Sequence, residues 1–561
     1  MAQAIKDLGI NKVFLYPGGT IAPLLDELVN LGVEYICGVN EQGAGYGAIG
    51  AAKLDNKPQV VIVTSGPGAT NLVSPVADAY YDSVPLIVIT GQVGTSDINW
   101  KKNKRQTGFQ ETDTVGMYSS ITKSSKIIVK DLDLYKEINQ AYNLSIDGRY
   151  GPVHLDLPMD TQRTETTVFQ SNKITLSSKK NNHKFNTKDV TNLIKKSTRP
   201  LILAGNGIYL SNASSDLYEF VEKSNIPIVS SMPGVGVIDT NSKMYLGYIG
   251  HTGEFSANLA MYYSDLLVVI GARLDVRQTG TEVDTFLNKK IIHIDIDKAE
   301  IEEPRVETFL KINCDCKVFL KKINQEIFKC DTKAWMQKVN DWQSKYNSKQ
   351  FYSDLSLSSF HIIEGVSNIL KNNRVIVSSG VGTHQQLVAR YFNFSFPNKR
   401  WLTSAGHGTM GFDLPSAIGA LIYDNSFDFG IVFVGDGSFQ MNIQELANVV
   451  RYNLPLKIFV LDNNRLGIVS QFQLLNWETD ESTGSKYNPS FYNIGKAYDI
   501  NSFELKSKTK IESTLKKVFS DKSPSLIHCK IDNKEDVLPM LMGGQKMNEM
   551  YPFKKEVKYE Q

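Results

Sequence analysis

Short, continuous apolar runs closed by Gly, Asp or Asn recur along this 561-residue chain, and they constrain its fold more than any other feature. Such runs lie at residues 60–66, 85–91, 266–272, 291–297, 430–437 and 457–464. Runs of this length predict strands buried on both faces, as in a parallel sheet covered by helices. Between them, residues 21–32 and 442–453 carry apolar side chains at helical spacing. The alternation predicts an α/β protein with ligands at the carboxyl ends of its strands.

The domain organisation follows from length and from two interruptions. A chain of this length is too long for one hydrophobic core. Polar, poorly periodic stretches at residues 163–190 and 331–357 break the alternation, and the second predicts a helix followed by a linker. We therefore expect three doubly wound parallel-sheet domains, at residues 1–165, 186–335 and 358–561.

Composition excludes several classes of protein. Lys and Arg number 61 against 59 Asp and Glu, so no strong global charge attracts nucleic acid or an anionic membrane. No apolar stretch approaches the roughly 20 residues that span a bilayer, and the amino terminus lacks the apolar core of a signal peptide. Five cysteines do not make a disulfide scaffold. We expect a cytoplasmic protein with neither nucleic acid nor a membrane as its partner.

The sharpest chemical signal is Gly435-Asp436-Gly437-Ser438, followed 27 positions after Asp436 by Asn463. Each of the two strands delivers an oxygen ligand at its end, a carboxylate from Asp436 and an amide from Asn463. This pair suits Mg²⁺, a hard cation that also binds phosphate oxygens. Ser438 begins a predicted helix whose first amides suit a diphosphate. An ordinary Asp-Gly turn is the alternative for Gly-Asp-Gly alone, but the second strand end makes that reading much weaker.

This pairing is the thiamine diphosphate motif, and the chain resembles the acetolactate synthase large-subunit family over nearly its whole length. The matching segments are residues 16–19, 40–45, 64–71, 108–111, 271–277, 292–297, 408–412, 435–446 and 465–467. The resemblance implies an aminopyrimidine-binding domain, a central FAD-binding domain and a domain that binds diphosphate and Mg²⁺. It also implies a homodimer or tetramer whose active sites are shared between subunits.

The resemblance assigns roles to individual residues. Glu41 would hydrogen-bond the pyrimidine ring and relay a proton, Gln110 would face the substrate channel, and Met410 would bend the cofactor from below. Helix capping or ion pairing is the alternative for Glu41, and core packing is the alternative for Met410. Asp436, Asn463 and the carbonyl of Arg465 would hold Mg²⁺. The implied thiamine diphosphate contacts are Pro17, Gly18, Gly19, Gly66, Asn71, Gly408, Gly435, Gly437, Ser438, Leu466, Gly467 and Ile468.

FAD binding is implied by a second set of residues. Gly205-Asn-Gly207 after an apolar strand is by itself equally consistent with a tight turn. The segments around Gly271 and Arg273, and Asp295 at another strand end, resemble flavin-contacting loops of the family. FAD is therefore an expected cofactor beside thiamine diphosphate and Mg²⁺.

The implied substrate residues include several departures from the family. Phe109 and Arg277 match the family, whereas Met159 replaces a lysine, His251 a methionine and Phe472 a tryptophan. The loop between Gln92 and Gly108 is longer than usual and carries the basic run at residues 101–105. These changes alter the charge and volume of the pocket for the second substrate.

The implied reaction decarboxylates pyruvate and transfers its acetyl unit to a carbonyl acceptor. A second pyruvate, giving 2-acetolactate, is the simplest acceptor, and a keto-sugar nucleotide is the main alternative. A flavin-dependent keto-acid oxidase or decarboxylase is a further alternative. A non-catalytic paralogue is disfavoured because Glu41, Met410, Asp436 and Asn463 are all present.

Overall fold

The structure, a computed structural model, describes residues 1–99, 104–129, 132–164, 185–326, 328–484 and 487–553, together with residues 557 and 559. These residues contain three six-stranded sheets in which all neighbouring strands are parallel. The expected fold class is therefore confirmed. The polar stretch predicted near residues 163–190 lies mostly outside the described residues, as do residues 101–103 of the basic run.

The first sheet has the strand order β2-β1-β3-β4-β6-β5. Its strands are β1 (Lys12–Tyr16), β2 (Glu34–Cys37), β3 (Gln59–Val63), β4 (Leu86–Gln92), β5 (Ser125–Ile127) and β6 (Val153–Pro158). Its helices are α1 (Ala2–Asp7), α2 (Ala22–Asn30), α3 (Glu41–Asp55), α4 (Pro67–Asn71), α5 (Val73–Tyr81), α6 (Thr114–Tyr118), α7 (Leu134–Ile146) and α8 (Met159–Gln162). β3 and β4 are buried along their whole length, as expected for central parallel strands.

The second sheet has the order β12-β11-β10-β7-β8-β9. Its strands are β7 (Pro200–Ala204), β8 (Ile228–Ser230), β9 (Tyr245–Tyr248), β10 (Leu266–Ile270), β11 (Lys290–Asp295) and β12 (Leu310–Asn313). Its helices are α9 (Thr187–Lys196), α10 (Gly207–Leu210), α11 (Ser214–Ser224), α12 (Phe255–Tyr263), α13 (Val276–Thr279), α14 (Lys298–Glu302), α15 (Cys316–Ile323) and α16 (Lys333–Lys345). α16 is the helix predicted after residue 331, and its Trp335 and Trp342 join the core of this domain.

The third sheet has the order β14-β13-β15-β16-β18-β17. Its strands are β13 (Val375–Ser378), β14 (Lys399–Leu402), β15 (Phe429–Gly435), β16 (Leu456–Asp462), β17 (Asn501–Leu505) and β18 (Ser525–Lys530). Its helices are α17 (Ser359–Ile369), α18 (Thr383–Tyr391), α19 (Asp413–Tyr423), α20 (Asp436–Met441), α21 (Leu446–Arg451), α22 (Gly467–Trp477), α23 (Phe491–Ala497) and α24 (Ile511–Val518). Gly435 pairs with Leu461, so the ends of β15 and β16 are level.

The first and third domains share one hydrophobic core, which is crossed by α3 and α19. Glycines permit this close approach: a Cβ on Gly50 would lie 1.9 Å from the carbonyl oxygen of Ser416, and one on Gly419 would lie 2.1 Å from that of Gly47. Side chains of this size cannot be added without moving backbone. The two helices therefore join the first and third sheets into one packed unit.

The chain after β18 returns to the middle domain. Arg390, which is partly buried, donates to the carbonyl oxygens of Leu538 and Pro539 and also to that of Thr252. Further along, the Phe553 ring stacks on Phe255 with centroids 5.1 Å apart. The terminal segment therefore ties the third domain to the second. Among the described residues, no helix has both the length and the apolar character needed to cross a membrane.

Candidate active site

The predicted site residues of the first domain meet at the carboxyl ends of β1 and β3. Glu41 is the first residue of α3 and is buried, and its Oε2 accepts a hydrogen bond of 3.0 Å from Nδ2 of Asn71. A Cβ on Gly68 would lie 3.5 Å from the other carboxylate oxygen, Oε1. Asn40 caps the helix by accepting from the Gly43 amide at 2.7 Å. The carboxylate is thus held at the start of a helix with Oε1 facing a glycine turn.

Gln110 and the Pro17–Gly19 turn lie on either side of the turn that follows β3. A Cβ on Gly66 would lie 2.8 Å from Cβ of Gln110, and one on Gly18 would lie 2.4 Å from Cβ of Thr64. Gly66 has φ +60°, a conformation that side chains disfavour. Glycine is therefore required here both for the backbone conformation and for the approach of Gln110.

The predicted metal ligands of the third domain lie at the level ends of β15 and β16. Asp436 is buried, and its Oδ2 accepts from Nδ2 of Asn488 at 2.6 Å. The same nitrogen lies 2.8 Å from Oδ1 of Asp462 and 3.2 Å from Oδ1 of Asn464. Oδ1 of Asn463 accepts from the Arg465 amide at 3.1 Å. Several oxygen ligands thus converge on one sheet edge.

The electrostatics of this edge favour a cation. Burial raises the pKa of Asp436 to about 6, and the charge of Asp462 adds to that shift. Asp462 is held by Nε2 of buried His528 at 2.8 Å. Among the described residues, no cluster of three His, Cys, Asp or Glu side chains could hold a metal by itself. A carboxylate, an amide and a main-chain carbonyl that leave room for phosphate oxygens suit Mg²⁺, so the residues fit that ion.

The other predicted cofactor contacts of the third domain surround the start of α20. A Cβ on Gly437 would lie 2.7 Å from Cδ2 of Leu466 and 3.4 Å from Cε of Met410. The hydroxyl of Ser438 accepts from the Gly411 amide at 2.8 Å and donates to Asp413 at 2.5 Å. Gly408, Gly467 and Ile468 lie in the turns that flank this region, with Gly467 and Ile468 beginning α22.

Two residues at the carboxyl ends of these strands, Thr383 and Asn488, were not predicted from the sequence. Thr383 begins α18, and its hydroxyl is buried without a hydrogen-bond partner, 2.6 Å from where a Cβ on Gly467 would lie. An orphaned buried hydroxyl facing a glycine turn indicates a bound polar group. The signal was present as Gly380-Val-Gly382 after a buried strand. Asn488 gave no comparable signal, because it lies in a loop distant in sequence from Asp436.

The middle domain contains a cavity of about 1180 Å³, larger than the ~300–1000 Å³ of ordinary ligand pockets. Gly207, Gly271, Arg273 and Asp295 line it, as does Arg149 of the first domain. A Cβ on Gly207 would lie 2.7 Å from Cα of Gly271, and one on Gly205 would lie 1.9 Å from the Gly271 carbonyl oxygen. Gly207 and Gly271 are therefore in close backbone contact at the cavity wall, whereas the predicted residue Gly205 packs behind them and is not among the lining residues.

Two arginines of the cavity wall donate hydrogen bonds to nearby carboxylates. Arg149 donates to Asp297 at 3.0 Å and Glu300 at 3.1 Å, and Arg273 donates to Asp275 at 3.1 Å. Burial raises the pKa of Asp295 to about 6. A cavity of this volume with glycines and arginines in its wall fits a large ligand that carries phosphate groups, and FAD is such a ligand.

The predicted substrate residues fall into two places. His251 and Arg277 line the cavity together, and the His251 amide donates to the Arg277 carbonyl at 2.8 Å. Burial, and then the charge of Arg277, lowers the pKa of His251. Phe109 is 85% exposed, and Phe472 packs only its edge on Trp477. Met159 is half-buried at the start of α8. Within one chain, Phe109, Met159 and Phe472 are not among the residues that line the cavity containing His251.

Comparison with known proteins agrees with this arrangement. Residues 1–117 match the N-terminal TPP binding domain of thiamine pyrophosphate enzymes, residues 187–323 match their central domain, and residues 380–529 match their C-terminal TPP binding domain. Thiamine pyrophosphate is another name for thiamine diphosphate.

Whole-length relatives are acetolactate synthase subunits. The acetolactate synthase large subunit of Lactococcus lactis is 36% identical over 98% of this chain and 94% of its own length. The isozyme 2 large subunit of Escherichia coli is 34% identical over 98% of both chains. The mitochondrial catalytic subunit of Saccharomyces cerevisiae is 33% identical over 98% of this chain and 83% of its own. The chain therefore belongs to the acetolactate synthase large-subunit family of thiamine diphosphate-dependent, carbon–carbon bond-forming enzymes.

Proposed function

We propose that this protein decarboxylates pyruvate and transfers the resulting acetyl unit to a second carbonyl compound. The observation that carries this proposal is the presence of both halves of a cofactor site. The first domain supplies Glu41 beside Asn71, and the third supplies Asp436 level with Asn463. Thiamine diphosphate bound between such halves would supply a nucleophilic carbon for the keto group of pyruvate and a cationic ring that takes up the electron pair released on decarboxylation.

A homodimer is the smallest working unit in this proposal. The contacts described above join the first-domain residues to one another and the third-domain residues to one another. Apolar side chains next to both groups are exposed, including Phe109 at 85%, Trp477 at 62% and Phe472 at 48%. Such a surface beside a site supports contact with a second copy. The first domain of one subunit would then face the third domain of its partner, and a tetramer would be a pair of such dimers.

The chain's own residues have separable tasks in the reaction. Glu41 would hydrogen-bond the pyrimidine ring through Oε1 and relay a proton there, while Asn71 donates to Oε2. Asp436, Asn463 and the Arg465 carbonyl would hold Mg²⁺ beside the diphosphate, and the unpartnered Thr383 hydroxyl could donate to a phosphate oxygen. Met410 and Leu466 flank Gly437 and would form an apolar wall beside the reacting carbon of the bound cofactor.

FAD is proposed for the middle cavity, where Gly207, Gly271 and Arg273 would contact it. Purified protein should then be yellow, with a flavin absorbance that disappears in a Gly271→Leu variant.

The domain bounds 1–165, 186–335 and 358–561 stay part of the proposal. A cytoplasmic location agrees with the free thiols of all five cysteines.

A second pyruvate is the acceptor that the geometry supports best. Arg277 provides a cation for a carboxylate, and His251 beside it is held neutral, because burial and Arg277 lower its pKa. A keto-sugar nucleotide is the second candidate. It is favoured by Met159 in place of a cation and by exposed Lys104 and Arg105 near Phe109, which could meet a diphosphate.

The test is purified protein with thiamine diphosphate, Mg²⁺, FAD and pyruvate, followed by CO₂ release and acetolactate formation. We expect both products in step, and none from an Asp436→Ala control. CO₂ release with little acetolactate would favour another acceptor, and keto-sugar nucleotides would be added first. Oxygen uptake or free acetaldehyde as the sole product would instead favour an oxidase or decarboxylase.

A further inference from the structure

The segment that carries Gln110 has an unusual backbone. Gln110 has φ +66°, in the left-handed region that residues other than glycine seldom adopt. Residues 104–113 contain no helix or strand, so regular hydrogen bonding does not hold this conformation. A conformation of this kind costs roughly 1–3 kcal/mol and persists only when its surroundings impose it. The contacts on either side of Gln110, together with the Ser65 hydroxyl 3.5 Å from its Oε1, decide where its side chain lies.

The first anchor of the segment is Glu111, whose buried carboxylate collects main-chain amides. Oε2 accepts from Thr107 at 2.5 Å and from Gly108 at 3.1 Å, and Oε1 accepts from Asn99 at 2.5 Å. These bonds close the base of the loop on the side that precedes Gln110. The hydrogen bonds of Glu111 do not involve Thr112, the residue that follows it, and another group holds Thr112.

The second anchor is Gln92, the fully buried last residue of β4. Its Nε2 donates to the carbonyl oxygen of Thr112 at 2.9 Å and to Oδ2 of Asp156 at 2.9 Å. Its Oε1 accepts from the Val93 amide at 3.0 Å. With its oxygen and both amide hydrogens engaged, the carboxamide has one orientation. It holds the main chain two residues after Gln110.

A buried polar chain behind Gln92 fixes Asp156. Oδ1 of Asp156 accepts from the Thr90 hydroxyl at 2.6 Å. The oxygen of the same Thr90 hydroxyl lies 2.8 Å from Nε2 of His154. Because the Thr90 hydrogen points to Asp156, Nε2 of His154 donates and Nδ1 accepts from Ser125 at 2.8 Å. Burial lowers the pKa of His154 to about 3, so the ring stays neutral. The Ser125 hydroxyl also lies 3.2 Å from the carbonyl oxygen of Val115, and together these buried bonds hold Asp156 in place.

We propose that Gln92, oriented by Asp156, is a positioning residue that sets the place of Gln110 in the active site. It does not touch the reacting atoms. The inference deepens the proposed function and rests on it, because Gln110 is assigned to the substrate channel there. Gln92 acts on the segment that bears Gln110 through its hydrogen bond to the backbone at Thr112.

The experiment is a double-mutant cycle with Gln92→Met and Gln110→Ala. Met keeps the length and volume of Gln but cannot donate to Thr112. We expect Gln92→Met alone to lower kcat for pyruvate about 10- to 100-fold, the scale of an ~1 Å misplacement. In the Gln110→Ala background the same substitution should change kcat less than about twofold, because the side chain that it positions is gone. Trypsin should also cut faster after Arg105 in Gln92→Met.

The matched control is Asn139→Leu, which removes another amide-to-carbonyl bond of the first domain, on α7 and away from Gln110. It should leave both kcat and cleavage after Arg105 unchanged. Asp156→Asn is the second variant, and it should show the same non-additivity with Gln110→Ala. Equal losses with and without the Gln110 side chain would overturn the inference while leaving the function intact. Absence of pyruvate turnover in the unsubstituted protein would instead overturn the proposed function.

Discussion

At the scale of single residues, this protein relies on side chains whose partners fix one orientation. One carboxylate oxygen of Glu41 accepts a hydrogen bond from Asn71, and one carboxylate oxygen of Asp436 accepts a hydrogen bond from Asn488. The second oxygen of Asp436 accepts from the Gly437 amide at 2.9 Å, and the second oxygen of Glu41 faces Gly68. The residue types were evident from the motifs. Their orienting partners were evident only for Asn71, which lies in the same matched segment as Gly66.

Glu41→Gln should abolish most turnover without releasing the cofactor. Gln can still accept from Asn71 but cannot relay a proton, so we expect pyruvate consumption to fall at least ~100-fold, the lower bound of general acid–base contributions. Thiamine diphosphate binding, followed by quenching of protein fluorescence, should change little. Asp436→Ala is the contrasting variant, because it should lose cofactor binding as well. Full turnover by Glu41→Gln would refute the proton-relay role.

At the scale of elements, the close crossing of α3 and α19 joins the first and third domains. Glycine is an unfavourable residue inside a helix, by roughly 0.5–1 kcal/mol relative to Ala, so its presence at Gly47, Gly50 and Gly419 needs a reason. The reason at Gly50 and Gly419 is backbone contact between the helices, whereas a Cβ on Gly47 would lie 3.1 Å from the Phe14 ring. The helical periodicity of α3 was readable in sequence, but its partner helix, more than 350 residues away, was not.

Gly50→Ala should therefore destabilise the protein although it improves helix propensity. The added Cβ would lie 1.9 Å from the Ser416 carbonyl oxygen, and we expect a loss of about 1–3 kcal/mol, visible as a fall of several degrees in apparent Tm. Gly543→Ala is the control, because a Cβ there meets no atom within 4 Å. An unchanged Tm in Gly50→Ala would mean that the helices can separate at no cost.

At the scale of the whole molecule, a buried acidic group lies where the first and third domains meet. Asp78 on α5 is fully buried and accepts from the hydroxyls of Ser404 and Thr409. Burial raises its pKa to about 7, and the charge of Asp82 adds to the shift. The folded state thus binds this proton more tightly than the unfolded chain does. The stability that Asp78 contributes is complete below its ordinary pKa near ~3.9 and is lost as pH rises through about 7.

Asp78→Asn should therefore flatten the dependence of stability on pH. Between pH 5 and pH 8 the unsubstituted protein should lose roughly 1–3 kcal/mol that the variant does not lose. Apparent Tm measured across this range, with Asp26→Asn as an exposed control, tests the expectation. An identical slope in both proteins would show that Asp78 is ionised throughout.

The sequence by itself determined the strands, their parallel arrangement and the residues at their carboxyl ends. Each of the six apolar runs is a strand, and β15 and β16 are neighbours with Asp436 and Asn463 at level ends. These strands could be predicted because the burial of a strand and the residue types at its end both depend on a short run of consecutive residues. The glycines of the middle cavity were likewise visible as strand-end turns.

Only the tertiary structure decided what holds those residues in place. Asn488 reaches Asp436 across 52 positions, Gln92 reaches Asp156 across 64, and Arg390 anchors the terminal segment from about 150 residues away. Hydrogen bonds of this kind depend on how loops and domains pack, and no periodicity or spacing encodes them. The chemistry of this enzyme was therefore readable from its sequence, whereas the orientation of its site residues depended on the packing of three domains.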